Sequence, residues 1–215
     1  MSGTPLTDAI NALTTYSNTV TGASDTTLSE AVATLAAGYG GGGGNLLYSW
    51  DFTQSLTDTV NGSVATLHSC TRDSEGIHFT SGSSNVSFDR AFTGVDVTYE
   101  IDISTMDRQG TAHGRVFMIS DNEGFVYRST GAWGVYKSSS WSMSSTSDAN
   151  YFSGSTLKIV FSKYGVPSFY KGNSLVYSYN GYPWSGLYTL GSSSTSFYNM
   201  TISALRIYKG DTTQS

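Results

Sequence analysis

The sequence predicts an all-β protein: an antiparallel jelly-roll β-sandwich over residues 45–215, preceded by a short α-helical N-terminal segment. Three observations predict it. Apolar residues follow a helical spacing before residue 38 and a spacing of two after residue 45. A glycine run divides the two regimes, and turn dipeptides recur between the short apolar runs. The expected divisions are a helical repeat over 1–37, a linker over 38–44 and the sandwich over 45–215.

In the first segment Leu6, Ile10 and Leu13 fall at i, i+4 and i+7, on one helical face. Leu28, Val32 and Leu35 repeat that stripe 22 residues later (28 minus 6), and Thr27 with Glu30 has capping-box spacing. Helices this short are marginal alone in water, so the stripe needs a partner. Packing against copies from neighbouring chains would make the segment an oligomerisation or anchoring element, with a homotrimer one solution. A helical hairpin resting on the same chain's sandwich is the other reading. Five consecutive glycines, Gly40 to Gly44, then form a tether by composition.

After residue 45 the clearest run is Val95 to Ile103. Val95, Val97, Tyr99, Ile101 and Ile103 are expected on one face, with Asp96, Thr98, Glu100 and Asp102 on the other. Further strands are expected at 46–52, 63–67, 77–79, 85–88, 115–120, 125–129, 134–136, 156–162, 167–170, 174–179, 186–190 and 201–208. Turn signals at Asn61-Gly62, Asn122-Glu123-Gly124, Tyr164-Gly165, Gly172-Asn173 and Asn180-Gly181 separate most of them. Short strands with hairpin turns and no helical stretch between them pack as antiparallel sheets face to face.

Composition narrows the partners. Only 13% of residues are charged, the net charge is −5, and the first basic residue is Arg72. Nucleic acids and anionic membranes both select clustered Lys and Arg, so neither is an expected partner. Cys70 is the only cysteine, so no intrachain disulfide can form. The N-terminus lacks a basic region followed by an apolar one, so synthesis in a bacterial-type cytoplasm without a signal peptide is expected. The Asn-x-Ser/Thr triplets at Asn61, Asn85 and Asn199 are then chance matches, not glycosylation sites.

The run Tyr48-Ser-Trp-Asp-Phe-Thr-Gln-Ser-Leu-Thr-Asp58, with Gly76-Ile-His-Phe79, Thr98-Tyr-Glu-Ile-Asp-Ile103, Thr156-Leu-Lys-Ile-Val-Phe-Ser162 and Ile202-Ser-Ala-Leu-Arg-Ile-Tyr208, resembles the concanavalin A-like or laminin G-like lectin and glucanase sandwiches. The likeness covers residues 46–210 and rests on strand order. The N-terminal repeat followed by glycine-rich sequence resembles the start of phage structural proteins, where such segments precede an exposed adhesive domain. Together these likenesses imply a virion protein, a tail or head appendage, joined to other virion proteins through its N-terminus.

Glucan hydrolases of this fold carry Glu-apolar-Asp-apolar-Glu on one strand, since retaining chemistry needs two carboxyls about 5 Å apart. Glu100-Ile-Asp102-Ile-Ser104 matches the first two acidic positions, but Ser104 replaces the last and cannot protonate a glycosidic oxygen. No catalytic residue is therefore assigned, and Glu100 and Asp102 are expected to be solvated. His68, His78 and His113 have no metal spacing on one element.

Lectin sites combine a flat aromatic with groups that orient sugar hydroxyls. The candidates are Trp184, Tyr182, Trp141 and Trp133 in turn-rich sequence, with Asp121 and Asn122 at a hairpin tip. Asp121, Asn122 and Glu123 could instead hold calcium; no other cofactor is expected. The expected function is glycan binding at a host or mucosal surface without catalysis. The alternatives are a decoration protein that binds other virion proteins and a glycoside hydrolase of the same fold.

Overall fold

The computed structural model describes residues 45–90, 92, 94–107, 114–120, 123–127, 132–137, 140–143, 151–181, 183–184, 186–187, 189–191 and 199–213. The helical repeat with Leu6, Ile10, Leu13, Leu28, Val32 and Leu35, the glycine linker, and Asp121, Asn122, Tyr182 and His113 lie outside the described residues.

Among the described residues every regular element is a strand. They are β1 (Asn45–Asp51), β2 (Ala65–His68), β3 (Cys70–Asp73), β4 (Gly76–Phe79), β5 (Asn85–Phe88), β6 (Val97–Asp107), β7 (Gly114–Ser120) and β8 (Glu123–Tyr127). The rest are β9 (Trp133–Lys137), β10 (Ser140–Met143), β11 (Ser155–Phe161), β12 (Pro167–Lys171), β13 (Ser174–Ser178), β14 (Thr189–Gly191) and β15 (Asn199–Lys209). One sheet runs β13-β12-β11-β6-β15-β4-β3, with β1 also paired to β15. The other runs β10-β9-β8-β7-β14-β5-β2, and the ladders of both are antiparallel.

The two sheets share one core. Tyr99 of β6 meets Phe117 of β7 edge-on at 5.2 Å, and Phe125 of β8 stacks on Phe169 of β12 at 4.7 Å. Such pairs add about 0.5–1.5 kcal/mol each beyond the area they bury. Trp50, expected in the core, is fully buried, and its indole N–H donates to the Ser63 carbonyl at 3.1 Å.

The alternation expected from Val95 holds from Val97 to Ile103, whose four inward residues are at most 2% exposed. Val95 itself breaks it. Asp96 adopts φ 52°, turning the chain just before β6 while its N–H donates to the Ser162 carbonyl, and Val95 is left 49% exposed. Two strands were not expected, β3 and β10. Both are short, and β3 alternates only between half-buried and exposed residues.

Candidate functional site

On the outer face of the larger sheet, cross-strand register lines up Tyr170 of β12, Lys158 of β11, Glu100 of β6 and Arg206 of β15. The period of two puts these polar residues opposite the core. Register then makes them neighbours. Lys158 Nζ lies 3.1 Å from Glu100 Oε1 and donates to Asn173 Oδ1 at 2.9 Å. Arg206 Nε reaches Glu100 Oε2 at 3.3 Å, and the two arms of its guanidinium grip Asp102, Nη1 to Oδ2 at 2.8 Å and Nη2 to Oδ1 at 2.9 Å. Thr156 adds a hydroxyl, donating to Asp102 Oδ1 at 2.7 Å.

The carboxylates are therefore not the solvated pair expected from sequence. Glu100 is 15% exposed and Lys158 7%, with Asp102 and Arg206 near 29% and 28%. Burial opposes the Arg206 charge, but the hydrogen bond and charge of Asp102, with Tyr208 and Glu100 adding to them, hold the guanidinium above its ordinary pKa. Burial, then the charge of Glu100, raises the Tyr208 phenol in turn.

Next to this cluster the ladder of β6 with β15 is irregular between Thr201 and Ile202 and again between Ile202 and Ala204. Bulges re-aim side chains. Here an open depression of about 330 Å³ is lined by Asp102, Ile103, Ser104, Gly154, Ser155, Thr156, Ser203 and Arg206. Further along the face, Thr105 donates to Thr201 Oγ1 at 3.0 Å, Thr201 meets His78 Nδ1 at 3.1 Å, and His78 Nε2 meets Asp73 at 2.9 Å. Among the described residues no three His, Cys, Asp or Glu side chains converge as a metal site.

The three tryptophans singled out from sequence fall elsewhere. Trp133 is 1% exposed, stacked on Tyr151 at 5.7 Å and packed against Phe125, Phe152 and Tyr177. Trp184 is 2% exposed among Phe161, Phe169 and Tyr179. Neither ring offers a face to a sugar. Both are core residues, because Trp133 sits at an inward position of β9 beside Val135, and Gly165 accepts the Trp184 N–H and holds that segment down on the core. Trp141 occupies the β10 position opposite Tyr136 on the smaller sheet. Glu123, named as a calcium ligand, is paired with Lys137 at 2.7 Å.

Residues missed at the sequence level are Arg206, Lys158, Thr156, Ser155 and Ser203. Arg206 and Lys158 stood at polar positions of expected strands, but only register could show that they close on Glu100 and Asp102.

No family model and no curated protein matches this chain. Solved structures do. A sialidase of Trypanosoma rangeli aligns with TM-score 0.58 at 11% identity, covering 79% of this chain and 31% of its own. The binding domain of botulinum neurotoxin serotype D aligns with TM-score 0.55 at 11% identity, covering 77% of this chain and 48% of its own. An apo transglycosylase aligns with TM-score 0.52 at 14% identity, covering 76% and 84%. The chain thus spans under a third of the sialidase's length and about half of the toxin domain's chain. These likenesses show the fold alone, two antiparallel β-sheets.

Proposed function

We propose that the chain is a non-enzymatic phage virion appendage whose concanavalin A-like jelly roll binds glycans at a host or mucosal surface through the outer face of its larger sheet. The observation that carries this reading is the depression lined by Asp102, Ser104, Ser155, Thr156, Ser203 and Arg206. It joins a bidentate ion pair to the Thr156 hydroxyl, with three serines among its lining residues, in about 330 Å³, which is within the range of a small-ligand pocket. Fold neighbours that include a toxin binding domain and a sialidase support a saccharide ligand.

The same residues weigh against catalysis. Glu100 and Asp102 are engaged by Lys158 and Arg206, so neither can approach a glycosidic oxygen without giving up a partner, and Ser104 stands where a second acid would act. In this reading the N-terminal helical repeat anchors the chain to other virion proteins or trimerises it, and the glycines tether it. Several copies on one particle would turn weak single-site affinity into attachment.

The test is a glycan array probed with the full chain beside an Asp102→Ala variant. Binding by the parent that the variant loses supports the proposal. An array with no binding, together with capture of the chain by a purified virion protein, would favour the decoration role instead.

A further inference from the structure

Resting on the glycan reading, we infer that the depression is selective for neutral, hydroxyl-rich sugars and rejects acidic ones. The protons and charges that the site has left to offer decide the choice.

Charge comes first. Two carboxylates, Glu100 and Asp102, face two cations, Lys158 and Arg206, and both cations are occupied. Lys158 is buried between Glu100 and Asn173, and Arg206 directs Nε–H and one N–H each of Nη1 and Nη2, three of its five, to Glu100 and Asp102. Lys171, whose neighbour Gly172 donates to the Thr156 carbonyl, holds its ammonium over the Tyr151 ring at 4.5 Å. An arriving carboxylate, sulfate or phosphate would meet the Asp102 carboxylate with its counter-charge already committed. Like charges brought together in an interface are a strong means of exclusion.

The hydroxyl protons come next. Thr156 donates its proton to Asp102 Oδ1, Ser155 donates to the Phe152 carbonyl at 2.8 Å, and Ser203 points its proton to the Asp102 carbonyl at 3.4 Å. A hydroxyl has one proton and two lone pairs. Thr156 and Ser203 therefore keep lone pairs for a ligand, and Asp102 Oδ2, engaged by one arm of Arg206, adds another. These acceptors stand beside the Ser104 hydroxyl and the Arg206 N–H groups that Glu100 and Asp102 do not take. A neutral pyranose supplies the matching set, several hydroxyls that each donate and accept, and its ring needs no counter-ion. A site built to hydrogen-bond a hydroxyl discriminates steeply against ligands that cannot supply one.

The experiment is titration calorimetry of the full chain with three oligosaccharide series matched in length: neutral hexose oligomers, the same oligomers bearing a terminal uronic or sialic acid, and glucosamine oligomers with free amines. The neutral series is expected to bind, and the acid-bearing series at least about tenfold more weakly. Equal or tighter binding of the acidic series overturns the inference while leaving glycan binding standing. Preference for the free amines overturns it too, since the site would then be reading charge. Silence from all three series sinks the glycan reading itself. Asp102→Asn supplies an internal control, because it releases the Arg206 charge: preference should move toward the acidic series by about tenfold. If that variant does not fold, Thr156→Val removes one acceptor with little change of volume and should weaken neutral binding alone.

Discussion

Replacing Arg206 by Met tests the ionic cluster directly, because the change keeps an apolar stem and deletes only the guanidinium. Glu100 would then keep Lys158 and the Tyr208 phenol, and Asp102 would keep the Thr156 hydroxyl. Cluster charge falls from zero to minus one. Removing one partner of a fully buried pair costs about 3–5 kcal/mol, and an exposed pair contributes about 0–1 kcal/mol. The side chains here are 15–29% exposed, which places the expected loss at about 2–3 kcal/mol. Urea unfolding followed by tryptophan fluorescence measures it, and the Tm should fall by about 4–12 °C. The charge-balanced double variant Asp102→Asn with Arg206→Met removes one charge of each sign and should recover more than half of the loss. A single variant costing under about 0.5 kcal/mol would place these groups among ordinary surface pairs and refute the reasoning. So would a double variant as unstable as the sum of its singles.

Gly76 and Gly62 form a matched pair for backbone effects. Gly76 has φ 127°, and a Cβ there would lie 2.3 Å from the Ile202 carbonyl oxygen of β15, so Gly76→Ala should leave little soluble protein. Gly62 has φ 69° with open space around it, so Gly62→Ala should cost only about 1 kcal/mol by urea unfolding. Burial pushes the Cys70 thiol up to about 11 from an ordinary 9.0, partly offset by bonds to Ser84 and to the His68 and Asn85 backbone. Iodoacetamide at pH 8 should therefore label the native chain far more slowly than the urea-unfolded one. The neutral thiol is the form favoured by folding, so its contribution is complete below pH 9 and is lost as pH rises toward about 11; Cys70→Val should flatten that alkaline decline. Trp133→Ala should cost about 3–5 kcal/mol, the usual loss for a buried large aromatic. Any glycan affinity should survive that substitution in the fraction that remains folded, which separates a core role from a binding one.

The strands were readable because one face of each is apolar and the other polar, and that alternation survives almost everywhere. It failed at Val95, where the left-handed Asp96 resets the face, a conformation that nothing in the local pattern signals. It also missed β3, Cys70-Thr-Arg-Asp73, whose residues alternate only between half-buried and exposed. The tryptophans misled for a related reason. Small neighbours such as Gly131 and Gly134 suggested a loop, whereas Trp133 and Val135 share the inward parity of β9. The site was the least legible part. Asp102 and Arg206 are 104 residues apart, and their meeting depends on a register set by two irregularities in the ladder of β6 with β15.

The position of β15 bears on how the chain can come to be folded at all. It pairs with β6 along one side, and with β1 and β4 end to end along the other. The partners it shares with β6 are 92 to 112 residues earlier (199 minus 107 and 209 minus 97). On a ribosome the hairpins of β7 with β8 and β11 with β12 can close as they emerge. The larger sheet must wait with unpaired edges until its central member has been translated. Such edges are adhesive, and closing contacts this distant in sequence is slow. A message broken before codon 199 would release a polypeptide with both flanks of that sheet open, a form that a cell's degradation machinery can recognise and clear.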